Sequence, residues 1–431
     1  MSAAATAISL SLSTIAKTSN PRSPEQLVDG LLRARGIEAS SPLSTLAMVA
    51  ALLAIAFIVV NCAAIAAGIF SWLERRIAAR MQSRVGPNRV GPAGFFQWIA
   101  DAVKLLLKED LIPEGANVHL FRAAPYFMMV GFACTFVALP FSHALIAADL
   151  GVGVFYLLAV TAFVVVGVLA SGWSSNSKWS LFGSIRSAAQ IVSYEIPAGM
   201  ALLVPVLLAG TLSTQGIIRA QGGWPWQWFV FHDPAALAAF FIYFISALAE
   251  GNRAPFDLPE AESELVAGYN TEYSGMRFSY FFLVEWGNMW VMSALATSVF
   301  LGGWQLPGLD AARFDALTGG AAIGLEIVSL ALFALKTMSL VFVIMWLRWT
   351  LPRLRVDQLM SLCWKYLVPV SFAGALFVAG WMLVVRAAPV LDLLMRGALT
   401  ALGALVVTLF VRRTLSNVRD VGDRLDVRGN W

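Results

Sequence analysis

Nine long apolar stretches, at 46–72, 123–141, 152–170, 188–210, 235–249, 279–301, 321–347, 366–385 and 390–411, divide this chain and hold few charged side chains. In a hydrocarbon layer about 30 Å thick such a stretch has one stable form, a helix of roughly 20 residues that satisfies its own backbone N–H and C=O groups. Composition agrees. Hydrophobic residues make up 59% and charged residues 13% of the chain, against about 45–50% and about 25% in water-soluble domains. The expected fold class is all-α, a polytopic transmembrane helix bundle. The stretch at 235–249 is short for the purpose, and Trp224, Trp226 and Trp228 before it are expected to extend it as an interfacial belt.

Loops that follow the odd-numbered stretches share one side of the bundle. They carry Arg75, Arg76, Arg80, Arg84, Arg89, Lys104, Lys108, Lys178, Arg186, Arg253, Arg348, Arg353 and Arg355, and the tail adds Arg412, Arg413, Arg419, Arg424 and Arg428. Opposite loops offer little beyond Arg219 and Arg313. The rich side therefore faces the cytoplasm or its organellar equivalent, and the N-terminus lies outside. A net charge of +4 gives no reason to expect nucleic acid as a partner. Cys62, Cys134 and Cys363 are scattered, as are His119, His143 and His232. That spacing suits neither a disulfide framework, nor a CxxC metal site, nor paired haem-binding histidines, so no redox centre is expected in this chain. Residues 1–41 lack the basic region and apolar core of a cleaved signal. They read as an extension with a short amphipathic helix at 24–38, a transit peptide being the lesser reading.

Two polar segments stand out on the basic side. From Phe95 to Lys108, the residues Gln97, Asp101, Lys104 and Lys108 recur at spacings of four, three and four among Phe96, Ile99, Val103, Leu106 and Leu107. That is one polar stripe on an amphipathic helix lying in the membrane interface. Before it, Glu74-Arg75-Arg76 closes the first apolar stretch, and the Gly/Pro-punctuated run from Arg84 to Pro92 cannot remain regular helix. Cytoplasmic anchoring accounts for these arginines as well as a binding role does.

The second segment reverses the local charge. Between Glu250 and Phe278, six carboxylates, Glu250, Asp257, Glu260, Glu262, Glu264 and Glu272, face only Arg253 and Arg277. They alternate with Pro255, Phe256, Leu258, Pro259, Leu265, Val266 and Tyr269, a mixture that suits a partly buried irregular segment beside a polar cavity better than a solvated loop. Clustered, desolvated carboxylates hold protons more tightly and titrate together, as a proton relay requires. Glu195, Glu285, Glu326 and Lys336 fall within apolar stretches. A charge there costs about 3 kcal/mol on insertion scales and ordinarily faces the bundle interior or an ion path. Glu326, close to a stretch end, also fits a plain interfacial position.

Five segments in this order, ERRIAARMQSRVGPNRVGP, QWIADAVKLLLKED, GWSSNSKWSLFGSIRSAAQIVSYE, AEGNRAPFDLPEAESELVAGYNTEYS and WLRWTLPRLRVDQLMSLCWK, closely resemble the quinone-chamber membrane subunit of respiratory NADH:quinone oxidoreductase, complex I. The resemblance implies eight family-core helices at 46–386 and says nothing of the flanks, which the sequence pattern alone divides into an N-terminal extension at 1–45 and an extra ninth helix with a basic cytoplasmic tail at 387–431. It implies quinone as substrate, no catalytic group or cofactor in this chain, and FMN and iron–sulfur clusters in partner subunits. Those partners would be the hydrophilic-arm quinone-site subunits, the terminal iron–sulfur subunit, and small and antiporter-like membrane subunits.

Matched residue by residue, the resemblance places Glu74, Arg75, Arg84, Asp101, Lys104, Arg253 and Phe278 at the quinone chamber and its entrance. Asp257, Glu260, Glu262, Glu264 and Glu272 fall in the acidic coupling loop, and Glu195, Glu250, Glu285 and Lys336 on the proton path. Arg348, Arg353, Arg355 and Asp357 fall in the last cytoplasmic loop. Gly251, Val356 and Arg76 stand where relatives often carry Thr, an aromatic residue and Lys. Two other functions remain open on sequence: a homologous subunit of a membrane-bound hydrogenase or ferredoxin-fed complex, and a stand-alone proton-coupled transporter. The expected location is a bacterial cell membrane, with an organellar energy-coupling membrane as the alternative.

Overall fold

The apolar stretches are helical in the computed structural model, which describes residues 42–258, 267–309 and 320–387 and scattered positions between 390 and 412. Eleven α-helices follow one another: α1 (Pro42–Met81), α2 (Gln97–Leu107), α3 (Val118–Thr135), α4 (Gly153–Ser174), α5 (Lys178–Ala209), α6 (Thr214–Ala220), α7 (Pro234–Glu250), α8 (Gly275–Phe300), α9 (Gly320–Thr350), α10 (Val356–Ser361) and α11 (Val368–Ala387). No strand occurs among the described residues. Among the described residues five helical segments are long and apolar enough to cross a membrane, and helices α3, α7 and α8 cover the remaining three of the first eight stretches. The chain is thus a polytopic helical membrane protein. The ninth stretch is described only at scattered positions, all helical, and the proposed helix at 24–38 lies outside the described residues.

Several boundaries differ from the sequence reading for local reasons. Helix α1 continues nine residues past Trp72 to Met81, so Glu74, Arg75 and Arg76 sit inside a helix rather than in a loop. It stops where Ser83 takes a left-handed conformation (φ 53°) and the Ser83 and Arg84 N–H groups donate to the carbonyls of Arg80 and Ala79 at 3.2 and 2.8 Å. This is the reciprocal pair of bonds that closes many helix C-termini. Helix α3 ends at Thr135, before Pro140. Helix α5 begins ten residues before its apolar stretch, at Lys178, so Lys178 and Arg186 are helical. The tryptophans before α7 do not lengthen it. Asp233 accepts a bond from Ala236 N at 2.8 Å and Pro234 fills the first turn, fixing the start, while Trp224 and Trp226 stack in the preceding turns at 4.8 Å.

In lipid, contact between apolar faces offers little drive, so close packing rests on small residues and buried polar bonds. Helices α4 and α5 pack together, with Gly172 of one against Ser180 and Ser184 of the other, while Gly167 admits Met128 of α3 and Gly183 admits the backbone of Gly268. Some buried hydroxyls are satisfied within their own helices, Ser171 to the Val168 carbonyl at 2.7 Å and Ser184 to that of Leu181 at 2.9 Å, whereas Ser180 donates to the Tyr269 carbonyl at 3.2 Å. Helix α8 packs against α1, α3, α7 and α9, and all but one of the residues from Val284 to Phe300 are buried.

The interfacial helix α2 has no buried residue, and its Ile99, Val103, Leu106 and Leu107 are exposed, as is Phe96 just before it. It is held at both ends. Gly68 of α1 lets the Trp98 ring approach, since a Cβ there would lie 2.7 Å from it. At the other end Gly275 (φ 58°) brings the start of α8 against the Lys108 carbonyl, where a Cβ would come within 2.9 Å. Ser274 Oγ donates to the Glu109 carbonyl at 2.9 Å, and Arg277 pairs with Asp110 at 3.0 Å.

Candidate functional site

The charges of the basic side gather where helix ends meet the segment after α7. That helix closes as α1 does: Asn252 is left-handed (φ 49°), and the Asn252 and Arg253 N–H groups donate to Ala249 and Leu248 carbonyls, each at 3.2 Å. The turn throws Arg253 back into the bundle, where it is 1% exposed. Residues 251–258 are almost wholly buried and irregular, as expected of this segment.

Two carboxylates receive Arg253. Its Nη1 lies 3.4 Å from Glu74 of α1 and its Nη2 lies 3.1 Å from Glu285 of α8, while its guanidinium sits 4.5 Å from the Trp286 ring centroid. Glu74 also accepts from Arg348 of α9 at 2.6 Å, and Trp349 is within hydrogen-bonding reach. Among the described residues two cations and two anions therefore meet in one largely buried cluster that joins α1, the segment after α7, α8 and α9. Desolvating such groups is tolerable only when each is paired, and removing one partner of a buried pair costs about 3–5 kcal/mol.

Neutral groups fix the same segment. Gln190 of α5, fully buried, donates its amide to the Ala249 and Phe256 carbonyls at 2.6 Å each. Asp257 pairs with Arg353 at 3.2 Å, and Leu354 N donates to the Pro255 carbonyl at 3.0 Å, so the last loop lies against it.

Glu195 and Glu250 form a separate neighbourhood. They are half-buried, near enough to repel electrostatically, and Thr161 is within hydrogen-bonding reach of Glu250. Pro197 follows Glu195 and has no N–H to give the Ser193 carbonyl one turn back. That carbonyl accepts instead from Cys363 Sγ at 3.1 Å, and the Tyr194 hydroxyl donates to the Leu359 carbonyl at 2.9 Å. Cys363 lies in a π-helical turn, Leu362–Leu367, of the kind often found beside functional groups.

At the interface, Asp101 of α2 pairs with Arg75 of α1 at 2.6 Å and with Lys104 at 3.7 Å. Arg84 is exposed and donates to Gln82 at 2.7 Å. Phe278 lies at 4.6 Å from Phe282, and Glu272 is half-buried beside Tyr273. Burial pushes the Tyr273 phenol up to about 12.

The predicted groups are thus redistributed. Glu74 and Arg75 are neighbours in sequence but face different ways, one into the buried cluster and the other toward Asp101. Glu285 joins Arg253 and Glu74, whereas the near neighbour of Glu250 is Glu195. Lys336 lies elsewhere: Nζ donates to the Leu301 and Gly303 carbonyls at 2.8 and 3.0 Å, at the C-terminus of α8, and lies 4.5 Å from the Trp228 ring centroid. Glu260, Glu262 and Glu264 fall outside the described residues.

Sequence reasoning left Gln190, Trp286 and Cys363 unassigned. A primary amide inside an apolar span is itself a signal of a partner in the bundle. Nothing comparable marks Trp286 or Cys363. Glu326, for which a plain interfacial position also fitted, is engaged by Ser142 Oγ, by Ala144 N at 3.3 Å and by His143 at 3.6 Å.

The sequence model of the family described as NADH dehydrogenase matches residues 53–379. The NADH-quinone oxidoreductase H subunit of Anaeromyxobacter dehalogenans is 55% identical over 409 residues, covering 93% of this chain and 99% of that protein. Coverage of 93% exceeds what residues 53–379 supply, so flanking sequence is shared with this relative as well. The H subunit of Chlorobaculum tepidum is 52% identical over 72% of the chain and 86% of its own length. A protein named NADH-quinone oxidoreductase subunit 8, from Rhodothermus marinus, is 47% identical over 75% and 95%. With the family model spanning most of the helix bundle and relatives of this identity covered nearly end to end, the chain belongs to the NADH dehydrogenase family, among its H-type members.

Proposed function

We propose that this chain forms the membrane side of a quinone-binding chamber in an NADH:quinone oxidoreductase and begins the path that couples quinone reduction to proton translocation. The observation that carries this reading is the buried cluster of Glu74, Arg253, Glu285 and Arg348. It ties the segment leading into the acidic loop to three membrane helices, so a change of charge at the loop is felt inside the bundle.

In this reading Arg75, Asp101, Lys104, Arg84 and Phe278 frame the entrance, with Glu74 and Arg253 behind them. Asp257, Glu260, Glu262, Glu264 and Glu272 form the coupling loop, and Glu195, Glu250, Glu285 and Lys336 carry the response into the membrane. Converting quinone to quinol consumes two electrons and two protons. The electrons come from FMN and iron–sulfur clusters of the hydrophilic-arm subunits, the last cluster lying above the chamber. Proton withdrawal changes the charge on nearby carboxylates. A unit charge about 6 Å away at an effective dielectric of ~20 alters a carboxylate's energy by roughly 2.8 kcal/mol, or about two pKa units. Proximity alone therefore suffices to pass the signal toward small and antiporter-like membrane subunits. The names of the relatives favour this reading over a hydrogenase subunit or a lone transporter, and their bacterial sources favour the cell membrane.

The test is a Glu250→Gln variant in the assembled complex. NADH oxidation by a water-soluble artificial acceptor should be unchanged, while quinone-dependent turnover and proton uptake fall at least several-fold. Full quinone turnover with normal proton stoichiometry would sink the coupling role. Isolation of the chain without NADH-oxidising subunits would sink the assignment to the complex.

A further inference from the structure

Arg76, Arg80 and Arg84 recur every fourth residue, and the turn that closes α1 folds the third back beside the other two. Together with Gly86, Pro87 and Asn88 they line a cavity of about 270 Å³ at the C-terminal end of α1. Among the described residues none of the three is paired with a carboxylate. Like charges four residues apart repel on a helix surface. Nor are the arginines needed to cap α1, because the last carbonyls accept backbone N–H groups from Gln82, Ser83 and Arg84.

Other contacts organise this cavity before any ligand arrives. Arg76 Nη1 donates to the Ala93 carbonyl at 2.7 Å, and its guanidinium lies 5.7 Å from the Trp72 ring centroid. Gly86 packs on the helix end, where a Cβ would meet Arg76 Cα at 3.3 Å, and so brings Pro87 and Asn88 over the cations. Val85 is 81% exposed, and α2 beyond Ala93 presents its exposed apolar face. Converging guanidinium groups select phosphate by multiple charge-assisted bonds, and adjacent apolar residues at bilayer level select a phosphate that carries acyl chains.

We infer that Arg76, Arg80 and Arg84 form a phosphate site, filled by the headgroup of an anionic phospholipid or by free phosphate. Arg84 is shared with the entrance in the quinone reading, and the inference can fail apart from that reading because lipid retention is measured without turnover. The complex, purified from its native membrane and exchanged into phosphatidylcholine nanodiscs, is titrated with phosphatidylglycerol and, in a parallel arm, with inorganic phosphate. Arg80→Gln should weaken binding about tenfold, the factor equivalent to losing ~1.4 kcal/mol of charge-assisted bonding, and Arg80→Lys should recover most of it. Phosphatidylglycerol binding that Arg80→Gln weakens and inorganic phosphate does not displace assigns the site to lipid. Inorganic phosphate binding that Arg80→Gln weakens by the same factor assigns it to the free ion, and either result supports the site. Should Arg80→Gln fail to assemble, Asn88→Asp, which puts a carboxylate on the exposed rim, must weaken binding instead. Unchanged binding of both probes in assembled variants overturns the proposal, as does a partner-subunit carboxylate cross-linked among the three arginines.

Discussion

Arg253 and Glu74, 179 residues apart in the chain, meet inside the helix bundle at 3.4 Å with both side chains almost completely buried. The contact lets one guanidinium from an irregular segment hold a carboxylate of the first helix while its other nitrogen holds Glu285. Arg253→Met removes the cation that both carboxylates share. It should destabilise the protein by about 3–5 kcal/mol, the range for breaking a buried ion pair, seen as lost assembly and a lowered Tm. Adding Glu285→Gln should recover part of that loss. Equal Tm for Arg253→Met and wild type would show that the cluster does not hold the segment.

Gln190 tests the neutral half of the anchoring. Gln190→Leu keeps the volume but leaves the Phe256 carbonyl without its amide donor, at about 1–3 kcal/mol for a buried group left unsatisfied, while the Ala249 carbonyl loses one of two donors and keeps the Asn252 N–H. Hydrogen exchange should rise over residues 249–258, and quinone turnover should fall more than NADH oxidation by artificial acceptors. Unchanged exchange there would assign the anchoring to Arg253 alone.

Much of this was legible in the sequence, for physical reasons. Apolar run length located eight helices, five of them long and apolar enough to cross a membrane, because a bilayer admits few alternatives to a helix. The interfacial helix was readable from the stripe of Gln97, Asp101 and Lys104, and the buried character of 251–258 from carboxylates interleaved with Phe256 and Leu258. Pairing was not legible. Nothing in a one-dimensional pattern says that Glu74 turns inward while Arg75 turns toward Asp101, because that depends on where α2 lies against α1. The place of Lys336 was illegible for the same reason, since a charge within an apolar stretch does not say that its ammonium sits at the C-terminal end of α8.

Asp101 should behave as a positioning residue of the entrance rather than a structural one. The Arg75 and Asp101 side chains are 49% and 23% exposed, so solvent screens their pair and its contribution to stability is at most about 1 kcal/mol. Asp101→Asn should leave Tm nearly unchanged yet raise KM for long-tailed quinones more than for short-tailed ones. A large fall in Tm with unchanged KM would reverse that assignment.

Tyr273 gives a pH dependence with a defined sign. Its phenol stacks on Phe121 with ring centroids 4.0 Å apart, and burial raises it from the ordinary value of 10.0 to about 12. Below pH 10 folded and unfolded chains both hold the proton. Between 10 and about 12 only the unfolded chain releases it, so stability declines as pH rises, by at most about 1.4 kcal/mol per unit. Tyr273→Phe should flatten this part of the Tm against pH curve relative to wild type. An unaltered slope would mean that the phenol ionises as readily folded as unfolded.

Lys336 separates a charge that holds a helix end from one that also moves a proton. Two carbonyls and the Trp228 ring satisfy its ammonium at the C-terminus of α8, a placement favourable for any cation. Lys336→Met should therefore cost about 1–2 kcal/mol through the lost carbonyl bonds and reduce assembly. Lys336→Arg keeps a cation at the helix end and should restore assembly and quinone turnover. Arginine does not release its proton in proteins. If Lys336 lies on the proton path, the arginine variant will move fewer protons per NADH oxidised although electrons flow normally. Wild-type stoichiometry in Lys336→Arg would assign Lys336 to holding α8 and leave the path to Glu195, Glu250 and Glu285.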